Sequence, residues 1–163
     1  MNTVEHKLHF DESMVRRGAK AANWRSAVEI AGELLVRARC VRPGYTKKLI
    51  DVIDKFGPYI VIAPGLALVH AQPSADSLQR GLVAVTFPDG VNFGHAHYDP
   101  VGLVVAISTM NPAQHLGVVA GIANGLDGDA TLVSKAVRSG SDAELVELIK
   151  SHLPDLNFDL EAD

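Results

Sequence analysis

His70 is the residue in this chain whose type and setting best fit reaction chemistry. It closes the run Phe56 to Pro73, FGPYIVIAPGLALVHAQP, a nearly unbroken apolar stretch that opens into a small polar loop. A buried strand ending in an imidazole, with Pro and Gly shaping the backbone around it, presents one reactive nitrogen to a partner. Imidazole is a neutral nucleophile over much of the physiological range, with a reference pKa of about 6.5. Read from the residues alone, a lone histidine beside an apolar strand is more often a hydrogen-bonded core residue than a functional one.

Other residues invite chemistry with less support. His95 and His97 form H-x-H, and on a strand their rings would share a face. Two ligands do not complete a zinc site, which needs three or four, so a solvated loop after Gly94 is the stronger reading. A metal-dependent hydrolase built from His70, His95, His97 and His115 would require a carboxylate-histidine motif with hydrolase spacing, and none accompanies them. Cys40 is the sole cysteine, which rules out an internal disulfide and any Cys-x-x-Cys motif. The GLDG segment at 125 to 128 reads as a loop between helices and follows no strand, so it is not a nucleotide fingerprint. Without a Walker or dinucleotide motif, no nucleotide cofactor is expected and ATP is not expected as direct donor.

The elements that must position these side chains can be read from periodicity. Asn23 has the character of an N-cap, and Trp24, Ala27, Val28, Ala31, Leu34, Leu35 and Ala38 recur behind it at helical spacing. A second helix is predicted from Thr46 to Phe56, stopped by Gly57. Tyr59 to Ala63 and Leu66 to Val69 read as strands parted by Pro64-Gly65, and a short strand is predicted near Met14 to Val15. Gly81 to Phe87 reads as a strand that turns at Pro88-Asp89-Gly90. Val101 to Ser108 is a fully apolar strand, predicted to be buried on both faces. A helix opens at Pro112 with Leu116, Val119, Ile122 and Ala123 on one face, and shorter helices follow at 130 to 138 and 142 to 152. Two helices, then strands, then helices predict an α/β three-layer sandwich, a central mixed β-sheet flanked by helices.

At 163 residues, 47% hydrophobic and 21% charged, the chain is expected to form one domain at 14–153, with a polar N-terminal segment at 1–13 and a tail at 154–163. A net charge of -4 lacks the basic face that nucleic acid demands. The N-terminus has no apolar core of the signal-peptide kind, and no run approaches the roughly 20 apolar residues that span a bilayer. These features predict a cytoplasmic protein without direct membrane insertion. The apolar segment Leu66 to Val69, read as an exposed loop, is compatible with transient docking or with a homodimer contact.

The placed motifs resemble the EIIA component of the bacterial phosphoenolpyruvate-dependent sugar phosphotransferase system (PTS), in the mannitol–fructose superfamily. The resemblance spans roughly residues 12 to 153. It rests on W-x-x-A-V-x-x-A-G-x-L-L at Trp24 to Leu35, a diverged V-x-P-x-Y at Val41 to Tyr45, FGPYIVIAPGLAL, Phe93-Gly94 and Asp99 to Val101. FGPYIVIAPGLAL is most similar to the ascorbate-type branch. The resemblance implies that His70 accepts a phosphoryl group from the carrier HPr and passes it to a cysteine of EIIB, and that His115 neighbours it and binds it or its phosphate. Two positions depart from the pattern. Val69 stands where a proline is usual, and Asp54 stands where many relatives, outside the ascorbate-type branch, carry an arginine.

A phosphohistidine suits a reversible carrier, because the phosphoramidate remains a good donor. In-line displacement through a loose transition state leaves the protein the tasks of positioning and charge stabilisation. Backbone N–H groups of the Gln72 to Ser77 loop are candidates to cradle phosphoryl oxygens, with Gln72 and Ser74 at its start. Arg80 is the nearest downstream cation. Asp99 either orients a histidine or forms a turn before Pro100. A regulatory, phosphorylation-dependent binding module on the same fold is the competing reading.

Overall fold

The computed structural model describes residues 7–158; the rest of the N-terminal segment and of the C-terminal tail lies outside the described residues. The first helix, α1 (Trp24–Arg37), starts where expected because the Asn23 side chain accepts a hydrogen bond from the Ser26 N–H at 2.9 Å. Ala27, Val28, Ala31, Leu34 and Leu35 form its buried stripe. The second helix, α2 (Gly44–Phe56), begins two residues before the expected Thr46 and stops at Gly57, whose φ of 86° is left-handed. The two helices approach closely at Gly32, where a Cβ would collide with Thr46 Oγ1.

Among the described residues there are seven strands: β1 (Lys7–Leu8), β2 (Val15–Arg16), β3 (Val61–Ala63), β4 (Leu66–His70), β5 (Gly81–Val91), β6 (Val101–Ser108) and β7 (Asn157–Phe158). Five of them form a mixed sheet in the order β2-β5-β6-β4-β3. β6 runs parallel to β4 and antiparallel to β5. β1 and β7 pair in parallel, so the two flanks of the expected 14–153 unit meet each other. Three further α-helices lie among the described residues: α3 (Pro112–Asp127), α4 (Leu132–Val137) and α5 (Asp142–Ser151).

β6 is buried at all eight positions, as its unbroken apolar run requires. Its register runs side by side with β4 from Leu66↔Leu103 to His70↔Ile107. α1 and α4 both pack across β5 and β6, with Gly102 lying under Val133 and Val137 of α4. Each fully buried Leu or Ile of this strand contributes about 1.5–3 kcal/mol over an exposed position. The layered α/β architecture, a mixed sheet flanked by helices, is the one the sequence predicts.

Several local expectations are corrected. Leu66 to Val69 forms the strand its sequence predicts but is not exposed: all four residues are at most 1% exposed inside the sheet. It therefore offers neither a docking patch nor a dimer contact. β5 does not turn at Pro88-Asp89-Gly90 but continues to Val91, absorbing these residues as an irregularity between Thr86 and Val91. The strand near Met14 starts at Val15, after a short 3-10 turn over Glu12–Met14. Gly125 lies within α3 and not in a loop. Its lack of a side chain admits the His152 carbonyl, which would clash with any Cβ there. Leu116 was expected on the buried face of α3, yet it is 73% exposed, because His115 takes the inward position one residue earlier.

Candidate active site

His70 and His115 reach one another at the carboxyl ends of the parallel pair β4 and β6. His70 is the last residue of β4. β6 ends at Ser108, Thr109 follows, and Asn111 caps α3 by accepting from the Ala113 N–H at 2.8 Å. His115 sits in the first turns of that helix. The two ring centroids lie 5.6 Å apart at an interplanar angle of 50°. On its other side the His70 ring meets Tyr59 edge-on at 6.2 Å. His70 is half-buried, whereas His115 is buried.

Hydrogen-bond partners fix the polarity of each ring. His70 Nδ1 lies 3.0 Å from the Leu68 carbonyl oxygen, which can only accept. Nδ1 therefore carries the proton and Nε2 keeps the lone pair. His115 Nδ1 lies 2.7 Å from Thr109 Oγ1, and Thr109 is 1% exposed. Thr109 Oγ1 makes no other hydrogen bond among the described residues, and a buried hydroxyl places its proton on a partner, so Thr109 donates to Nδ1 and leaves the proton of His115 on Nε2. The pair thus offers one nucleophilic nitrogen and one N–H donor. Burial lowers the pKa of His70, with its hydrogen bond to Leu68 opposing. Burial lowers that of His115 too, and the neighbouring His70 adds to the effect. Both effects favour the neutral rings and leave the Nε2 lone pair of His70 available.

The other expected site residues divide by position. Gln72 is exposed just beyond the strand end. Ser74 is committed to its own turn: its N–H donates to Ser77 Oγ at 3.1 Å, and its hydroxyl accepts from the Asp76 N–H at 3.2 Å. The Ser77 N–H is also taken, by the Ser74 carbonyl. These three N–H groups of the loop are therefore already engaged within it. Arg80 is buried, and its guanidinium donates to the side-chain oxygen of Gln114, next to His115 in sequence.

Asp99 lies at the opposite end of the sheet, before Val101, while His70 pairs with Ile107; six residues of strand separate these levels by about 20 Å. Its carboxylate accepts from the N–H groups of Phe93, Gly94 and His95 at 3.1, 2.7 and 3.1 Å. That arrangement builds the loop ahead of Pro100 and orients no imidazole of the pair. His95 and His97 share this far loop, and His95 Nδ1 accepts from the N–H groups of His97 and Tyr98. Among the described residues no group of three or more His, Cys, Asp or Glu is arranged to hold a metal ion. Asp54 is paired with Arg25 at 2.6 Å, both about half exposed. Val69 is fully buried in register with Ala106 and keeps the backbone N–H that a proline would lack.

Two contributors were not singled out from sequence. Thr109 had a visible signal, a polar Ser-Thr pair closing an otherwise apolar strand. Tyr45 stands out in the sequence only as the last residue of the V-x-P-x-Y motif. Its side chain is wholly buried and its hydroxyl stands between Ala71 and Ile107. Around the histidines, Phe56, Tyr59, Met110 and Leu116 are large apolar side chains exposed by 45% or more. Phe56 stacks edge-on against Tyr59, while Met110 and Leu116 adjoin Thr109 and His115 in sequence.

A mixed sheet that brings a neutral imidazole with a free lone pair and a donor imidazole together at the carboxyl ends of its strands is suited to holding a transferable group. Residues 8–152 match the family described as phosphoenolpyruvate-dependent sugar phosphotransferase system, EIIA 2. The chain belongs to that family and is a phosphotransferase component. It is 35% identical over 111 residues to the ascorbate-specific PTS system EIIA component of Escherichia coli, covering 67% of this chain and 72% of that one. The crystal structure of IIA mannitol from Escherichia coli superposes with a TM-score of 0.74 at 29% identity, covering 86% of this chain and 98% of that one. A complex of enzyme IIAMtl with phosphorylated enzyme IIBMtl from Escherichia coli matches with a TM-score of 0.75 at 28% identity, covering 88% and 99%. Among the described residues, no helix is long and apolar enough to cross a membrane.

Proposed function

We propose that His70 is the phosphoryl-accepting residue of this carrier, taking the group from phospho-HPr and passing it to a cysteine of an EIIB partner in the cytoplasm. The observation that carries this reading is the opposed polarity of two adjoining imidazoles at a half-exposed strand end. The Nε2 lone pair of His70 attacks phosphorus in line, an N–P bond forms, and the bond to the donor breaks. The Nε2 proton of His115 donates to a phosphoryl oxygen as charge builds there. Because Nδ1 keeps its proton on the Leu68 carbonyl, the phosphorylated ring carries positive charge. It is therefore a good leaving group when a thiolate of EIIB attacks in turn. The exposed apolar rim of Phe56, Tyr59, Met110 and Leu116 supplies a face on which partner proteins dock by turns. The similarity to the ascorbate-specific component supports L-ascorbate as the sugar served.

Incubation with phospho-HPr tests the assignment. The protein is expected to gain one acid-labile phosphate, and His70→Ala is expected to abolish the label. Persistent labelling of a folded His70→Ala variant would remove His70 from the role.

A further inference from the structure

We propose that Tyr45 is a positioning residue for the histidine pair, its buried hydroxyl serving as the last rung between β4 and β6. This inference rests on the carrier reading above and deepens it. The ladder of the two parallel strands ends at His70↔Ile107. At the next level the hydroxyl intervenes: the Ala71 N–H donates to it at 3.2 Å, and it donates to the Ile107 carbonyl at 2.7 Å. The Ala71 carbonyl lies 3.3 Å from the same oxygen. A side-chain atom, supplied by the first turn of α2, thus holds together two strand ends at the level where a direct backbone bond would otherwise close the ladder.

Those two ends carry the chemistry. Ala71 directly follows His70. Ile107 stands two residues before Thr109, whose hydroxyl holds the ring of His115. One phenol therefore couples the backbone of the nucleophile to the backbone that anchors its partner. Tyr45 is 0% exposed, and burial pushes its phenol up to about 12, so it stays a neutral relay throughout the working range of the site. The residue touches neither the phosphoryl group nor a reacting nitrogen; it acts through the spacing of the two imidazoles.

Tyr45→Phe keeps the ring in the core and removes only the relay. The expected result is phosphoryl transfer from phospho-HPr slowed roughly 10- to 100-fold, the cost of a small misplacement of reacting groups, with HPr affinity unchanged. Histidine NMR titration supplies the readout that general destabilisation would not move. Loosening the pair should raise the titration midpoints of His70 and His115 toward 6.5. Ile149→Val, a buried change in α5, is the control that lowers stability while leaving both midpoints in place. Tyr45→Phe titrations that coincide with wild type overturn the inference, whether or not transfer slows. Failure of the carrier reading itself would appear separately, as label retained in His70→Ala, and the titration comparison would still decide the role of Tyr45.

Discussion

Replacing Thr109 by valine removes one hydroxyl and almost no volume. In the folded protein that hydroxyl lies 2.7 Å from His115 Nδ1, with Thr109 1% and His115 3% exposed. The valine methyl takes the hydroxyl's place, so no water can enter to donate in its stead. The variant therefore loses a hydrogen bond and strands a buried ring nitrogen, a cost of about 1–3 kcal/mol. For a chain of this length each kcal/mol lowers Tm by about 2–4 °C, so a cost near 2 kcal/mol corresponds to a fall of about 4–8 °C. The chemical consequence is larger. With no donor facing Nδ1, the proton of His115 is free to move there, and Nε2 then turns an acceptor toward the phosphoryl oxygens. Loss of one preorganised donor to developing charge slows transfer by roughly 100- to 1,000-fold. Thermal denaturation measures the first effect, nitrogen-15 NMR of the imidazoles reads the tautomer, and labelling from phospho-HPr gives the rate. Thr109→Ser keeps the hydroxyl and should recover the tautomer and most of the rate. A Thr109→Val protein whose His115 still carries its proton on Nε2, and which transfers at the wild-type rate, would refute the polarity argument.

Two further outcomes are expected. Burial holds His70 and His115 below the ordinary imidazole value of about 6.5, so between their folded and unfolded values the unfolded chain binds more protons. Their contribution to stability is full above about pH 6.5 and is lost as pH falls through the folded values. Urea midpoints should drop from pH 7.5 to pH 5.5 by more in wild type than in His70→Gln, and equal drops would contradict the assignment. Asp99→Ala removes the acceptor for three backbone N–H groups. A loss of about 1–3 kcal/mol is expected with labelling at His70 retained; a folded variant that takes no label would bring Asp99 into the site.

Much of the scaffold was legible because its signals are local. The cap at Asn23, the stop at Gly57 and the doubly buried run of β6 each state a backbone preference within a few residues, and the elements follow them. Leu66 to Val69 was legible as a strand, but its exposure was not: a short apolar run beside Pro64-Gly65 shows no sign of being covered until β6 pairs with it. Leu116 misled for a related reason: hydrophobicity placed it inward, while packing at the sheet edge reserved that position for His115. The meeting of His70 and His115 required a parallel crossover, which no spacing along the chain encodes. Asp99, Thr109 and Tyr45 act through hydrogen bonds whose partners are fixed only by the tertiary arrangement.

The anchors of the two imidazoles differ in kind. His70 is held by a main-chain oxygen of its own strand, two residues back, an atom that every amino acid possesses. His115 depends on a hydroxyl that one codon change can delete. In the proposed carrier, the protonation pattern of His70 is thus insulated from substitution at its anchor, whereas that of His115 is open to it. Among descendants of this sequence, drift in transfer speed has a ready route through position 109 and its helix cap, with the proposed accepting nitrogen of His70 left untouched.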